Sequence, residues 1–129
     1  MDVSDLTSIP LFSQLSKRQL ELVSRHADEV TVKAGSVIMR EGDLAREVCI
    51  VVEGTVRVAS SDRVVADLGA GEVFGEMGVV TGQHRMATVT AVTDTRLLVM
   101  FGPEFTGVAD EIAEMRQGIA AIIAKRRGG

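Results

Sequence analysis

Between residues 69 and 92 the sequence reads GAGEVFGEMGVVTGQHRMATVTAV, and three of its residues can do chemistry together. Gly75 carries no Cβ, so its backbone can approach a bound group closely. A short helix opening at Gly75 would present unpaired N–H groups to an anion. Arg85 stands ten residues further on, at the start of the next extended run. Its guanidinium can return to the same spot and grip phosphate oxygens in a fork. Glu76 is the odd member of an anion site, and it makes sense there as an acceptor of hydroxyl hydrogens, as from a ribose. The chemistry implied is binding, not catalysis. Taken singly, each residue has a plainer reading: turn glycines, a surface arginine in a salt bridge, a solvated carboxylate. Their spacing joins them.

Other candidates for chemistry are few. His26 and His84 lie 58 positions apart with no metal-like neighbours, so no metal is expected. This also disfavours a cupin-type metal enzyme, which shares a jelly-roll barrel but needs clustered histidines. Cys49 is the single cysteine, and it sits in the apolar run 48–52, where a small buried hydrophobe is expected. One cysteine fits a reducing compartment. The formal charge of −4 argues against a nucleic-acid surface, which needs clustered Lys and Arg. The one basic run, 125–127, reads as a solvated end that complements a helix dipole. Residues 1–5 are acidic and lack the apolar core of a signal peptide. No window has the length of a membrane span, so a cytoplasmic location is expected.

The elements that must position these residues follow from periodicity. Ser16 with Gln19 forms a capping-box pattern opening a helix with Leu20 and Val23 on one face. Residues 9–12 read as an apolar connector. From 30 to 101 come short runs rich in Val, Ile and Thr, at 30–33, 36–40, 47–52, 55–59, 64–68, 86–92 and 96–100, punctuated by glycine. Many short strands at this spacing predict an antiparallel barrel or jelly roll. Residues 75–81 interrupt it as a short helix. The tail is helical, with Ile112, Met115, Ile119, Ile122 and Ile123 at helical spacing. Gly118 inside it costs about 1 kcal/mol against Ala and marks a weak point. The 129 residues suit one domain: helical over 4–28, a β-roll over 29–101 and C-terminal helices over 103–127. The expected class is mainly β with flanking helices.

Phe74-Gly75-Glu76-Met77-Gly78, followed by Arg85-Met86-Ala87-Thr88, resembles the phosphate-binding cassette of cyclic-nucleotide-binding domains. That family includes catabolite activators, protein kinase A regulatory subunits and cyclic-nucleotide-gated channels. Residues 51–56 resemble its central hairpin, residues 68–71 its approach to the cassette, and the tail is similar to those of bacterial channel domains. The resemblance implies that Arg85 pairs with the cyclic phosphate and that the backbone at Gly75, Met77, Gly78 and Ala87 surrounds it. It implies that Glu76 takes the ribose 2′-hydroxyl, and that Phe74, Met86 and Thr88 complete the site. Gly78 stands where Ala is commoner. Met86 stands where many members carry Ser or Thr, which removes a hydroxyl that can touch guanine. The resemblance also implies a lid over the base, for which Ile119, Ile122, Ile123 and Arg126 are the candidates.

The function expected is therefore a non-catalytic sensor of a cyclic nucleotide, cAMP first and cGMP second, with the C-terminal helix closing on the ligand. A homodimer, or attachment to a larger effector protein, is the expected assembly. The alternative is a degenerate domain that keeps the fold and serves as an interaction module without ligand. A transcription regulator would carry a helix-turn-helix after the long helix, and this sequence has none.

Overall fold

The computed structural model describes residues 3–82 and 84–128. A short helix α1 (Val3–Leu6) and a 3₁₀ turn (Pro10–Phe12) precede α2 (Lys17–Arg25). The connector expected at 9–12 is thus this 3₁₀ turn, opened by Pro10, whose fixed φ suits a first helical position. Leu6, Ile9 and Phe12 from this segment are buried. Ser16 caps α2 as its sequence indicates: Gln19 N–H donates to Ser16 Oγ at 3.2 Å, and Ser16 N–H donates to Gln19 Oε1 at 2.8 Å.

Eight strands follow among the described residues: β1 (Asp28–Val32), β2 (Val37–Met39), β3 (Glu47–Glu53), β4 (Val56–Ser60), β5 (Arg63–Leu68), β6 (Val73–Phe74), β7 (Thr88–Ala91) and β8 (Thr95–Phe101). Helix α3 (Glu76–Thr81) lies between β6 and β7, and α4 (Gly102–Glu111) and α5 (Ala113–Gly128) close the chain. The strands form two antiparallel sheets, ordered β1-β8-β3-β6 and β2-β7-β4-β5, the jelly-roll arrangement expected. The two-residue β6 carries Phe74 and pairs Cys49 with Phe74. So short a strand has no alternation to read, which is why it escapes a sequence reading.

Period-two alternation explains how the layers form. In β3, Val48 and Ile50 belong to one core cluster with Leu6, Phe12, Phe105, Ile112 and Met115. Cys49 and Val51 face the other way, into a second cluster with Met39 and Val89 of the opposite sheet. Strands β3, β6 and β8 of the first sheet are therefore buried on both faces, between the helices and the second sheet, while the edge strand β1 is mostly exposed. The second sheet has its inner face on that cluster and its outer face in solvent, where Arg57 and Asp67 form a bidentate pair at 2.9 and 3.0 Å.

The tail packs differently from the expected weak point. Ile112, Met115 and Ile119 are buried in the first cluster, and Ile122 and Ile123 are half-buried against it. A Cβ at Gly118 would stand 2.7 Å from Leu11 Cδ1. Gly118 is thus the point where the 3₁₀ turn closes onto α5. Ile112 is extended (φ −117°, ψ 101°) and separates the two helices. Arg116 Nη1 donates to Asp110 O at 2.8 Å across that break, satisfying a carbonyl at the end of α4.

Candidate functional site

Gly75 leaves β6 with φ +86°, in the left-handed region that glycine enters without penalty. A Cβ there would lie 2.7 Å from Met39 Cε, 2.9 Å from Arg85 Nη1 and 3.0 Å from Glu47 O. Both the backbone angle and the close approach therefore demand glycine. The approach is that of Arg85, whose Nη1 donates to Gly75 O at 2.8 Å and whose Nη2 donates to Glu47 O at 2.6 Å. Arg85 is 8% exposed. Burial pulls its guanidinium down from its ordinary value, and the neighbouring Cys49, Glu47 and Glu76 oppose that shift. Two bonds to carbonyls fix the plane of the fork and leave its remaining N–H groups for an anion.

The backbone of Arg85 is fixed as firmly as its side chain. Arg85 N–H donates to Asp43 O at 2.7 Å, and Gly42 N–H donates to Arg85 O at 2.9 Å. These bonds go to the loop between β2 and β3, so residues 85–87 do not join the ladder. Strand β7 begins at Thr88, later than the start at 86 expected from the sequence. His84 makes an isolated bridge with Leu44 in the same loop, a turn position beside the site as its sequence context suggests. A cleft of about 530 Å³ opens here, bordered by Met39, Asp43, Leu44, Glu47 and Arg85.

Glu76 opens α3 and is fully buried. Its Oε1 accepts from Arg126 Nη1, and Arg126 Nη2 also donates to Val73 O. Its Oε2 is buried and accepts no hydrogen bond from the described residues. A buried carboxylate without its full set of partners is costly, so this oxygen is a ready acceptor for a hydroxyl. Arg126, a candidate from the sequence for capping a base, lies here on the carboxylate and the adjoining backbone.

The other expected site residues fall around this centre. Phe74 is buried in the cluster between the sheets, Gly78 is buried, and Met77 and Ala87 are half-buried. Met86 is 70% exposed. Thr88 Oγ1 accepts from Glu41 N–H at 3.0 Å, so this hydroxyl holds the β2–β3 loop. Of the lid candidates, Ile119 belongs to the core, whereas Ile122, Ile123 and Arg126 lie further along α5. Three features are not among those singled out from the sequence. Glu47 contributes only its carbonyl, which residue type does not reveal. Val58 and Leu68 form half-buried wall on the inner face of the second sheet, a role that the alternation of residues 55–58 does signal. The Arg126–Glu76 pair joins positions 50 residues apart, beyond the reach of local pattern. Among the described residues no group of three His, Cys, Asp or Glu could hold a metal.

The sequence model of the family described as "Cyclic nucleotide-binding domain" matches residues 29–111. The chain is 36% identical over 124 residues to a cyclic nucleotide-gated potassium channel of Rhizobium etli, covering 96% of this chain and 35% of that protein. It matches the crystal structure of the Thermus thermophilus catabolite activator protein with a TM-score of 0.83 and 30% identity, over 91% of this chain and 57% of that one. A putative cyclic nucleotide-binding protein from Geobacter metallireducens has the same fold, with a TM-score of 0.83 at 22% identity and 98% coverage of both chains. This chain therefore belongs to the cyclic nucleotide-binding domain family. It spans about a third of the length of the channel and just over half of the activator. No helix among the described residues is long and apolar enough to cross a membrane.

Proposed function

We propose that this domain captures a cyclic nucleotide, cAMP at least as tightly as cGMP, and acts as a non-catalytic regulatory module. The observation that carries the reading is a buried guanidinium beside the cassette together with a buried carboxylate oxygen that has no partner among the described residues. Arg85 and the cassette backbone at Gly75, Met77, Gly78 and Ala87 take the cyclic phosphate. Glu76 Oε2 takes the ribose 2′-hydroxyl. The half-buried Val58 and Leu68 offer the base an apolar wall. Met86 offers no hydroxyl to guanine, which favours adenine. Arg126 links the cassette to α5, so ligand capture at Glu76 is felt by the tail helix, and closure of α5 is the proposed response. The relatives are a channel and an activator, each longer than this chain. A larger effector, joined covalently or by assembly, is the proposed destination of the signal, in the cytoplasm.

The second reading is a domain that keeps the fold and binds partners without ligand. The Arg126–Glu76 ion pair favours it, because the cassette carboxylate already has a cation from its own chain. Isothermal titration separates the two with cAMP, cGMP, 2′-deoxy-cAMP and linear AMP. Capture predicts that cAMP binds at least as tightly as cGMP. It predicts that 2′-deoxy-cAMP binds more weakly, because Glu76 is then left unpaired. Linear AMP should also be weaker, because its second charge adds desolvation cost. Binding of none of the four supports the ligand-free reading.

A further inference from the structure

The inner face of the second sheet ends, next to the cassette, on a hydroxyl. In β4 the side chains of Val56, Val58 and Ser60 share one face by alternation. The register Val56↔Ala91 and Val58↔Val89 identifies that face as the inner one, because Val56, Val89 and Ala91 are all buried. Arg57 lies on the opposite, solvent face and pairs with Asp67. The register shift between β4 and β5 skips a residue of β5, whereas β4 is paired to β7 without interruption through Ala59↔Thr88. Alternation along β4 therefore holds to its last residue. Ser60 is half-buried there, next to the Arg85–Ala87 segment, and Ser60 Oγ donates to Met86 O at 3.0 Å. Along the inner face of β4 and β7 it follows Val56, Val58, Val89 and Ala91, and is the one hydroxyl in the series. Arg63, opposite it in β5, is exposed.

We infer that Ser60 selects the base: its hydroxyl accepts a hydrogen bond from the 6-amino group of adenine. The inference rests on the proposed capture of a cyclic nucleotide. Its chemistry is one of donor count. A serine hydroxyl has one proton and two lone pairs. Here the proton is committed to the Met86 carbonyl, so what remains for a ligand is acceptor capacity only. Adenine presents an amino donor at its 6-position, whereas guanine presents a carbonyl acceptor there. An oxygen that can only accept satisfies the first and opposes the second. The other side chains named on this face, Val56, Val58, Val89 and Ala91, offer no donor of their own to the guanine carbonyl.

The test is calorimetric titration of the wild type, Ser60→Ala and Ser60→Thr with cAMP and with cGMP, with thermal unfolding to confirm that each variant folds. Loss of one neutral hydrogen bond lowers cAMP affinity by about three- to tenfold, so in Ser60→Ala the preference for cAMP over cGMP falls by that factor. Ser60→Thr keeps the hydroxyl and keeps the preference. An equal loss for both nucleotides would show that Ser60 merely holds the hairpin to Met86, and overturns the inference. An unchanged ratio in folded Ser60→Ala also overturns it, while leaving nucleotide capture intact. A wild type that binds neither nucleotide overturns both.

Discussion

Glu76 divides its two carboxylate oxygens between different environments. One oxygen is held by Arg126 and the other is buried without a partner among the described residues. The sequence placed a carboxylate in an anion site and so pointed to a hydroxyl acceptor. It could not show Arg126 as the cation that makes burial of that carboxylate tolerable, because the pair spans the whole distance from cassette to tail. Cys49 is a simpler case, fully legible from its apolar run and buried as expected. Burial is the main cause that pushes its thiol up to about 12, helped by the charge of Glu47 and opposed by Arg85. In the unfolded chain the thiol ionises near 8.5. The folded state holds this proton more tightly, so its contribution to stability is intact below about 8.5 and is lost as pH rises toward the folded value, at up to about 1.4 kcal/mol per pH unit. Urea unfolding between pH 8 and pH 10.5 should therefore show a steeper loss of stability for the wild type than for Cys49→Ala. Parallel curves would mean that the thiol is not held neutral by burial.

At the scale of elements, local pattern fixed most of what it could reach. The capping box of α2, most of the strand runs and the cassette helix sit where period and punctuation put them. Misses occurred where tertiary contacts overrode local signals. Strand β7 starts late because the β2–β3 loop takes both backbone groups of Arg85. Gly118 looked like a weak point because a glycine inside a helix is unfavourable in isolation. Its lack of a side chain is instead what admits Leu11. A bulky residue there should lever the 3₁₀ turn off α5. Gly118→Leu is expected to destabilise the protein by about 1–3 kcal/mol, the usual range for overpacking, as read by denaturant titration. Leu11→Ala in the same chain should recover part of that loss, because it frees the volume the new side chain needs. Additive destabilisation by the two changes would place the strain elsewhere.

For the whole molecule, the layers divide labour. The first sheet joins the helices to the second sheet and contributes Glu47 and Phe74 to the site, which the second sheet and α3 complete. Helix α5 belongs to both regimes: its first half is core through Met115 and Ile119, and its second half reaches Glu76 through Arg126. The proposed closure belongs to the second half, since mobile parts come from the least stable region. Hydrogen exchange with and without cAMP should show added protection over 120–126 and 76–81, and little change over 113–119. Equal protection throughout α5 would remove closure from the account. The sequence carried the order of helices and strands, hence the class, but not this division within one helix, since the isoleucine stripe runs through both halves. The central claim is that a buried guanidinium captures a cyclic phosphate, and the most direct measurement is the affinity of Arg85→Ala for cAMP beside that of the wild type. Removing one partner of a buried charge pair costs about 2–5 kcal/mol, so the account predicts a loss of roughly thirtyfold to several thousandfold. Affinity within threefold of the wild type, in a variant that unfolds at the wild-type temperature, would contradict it.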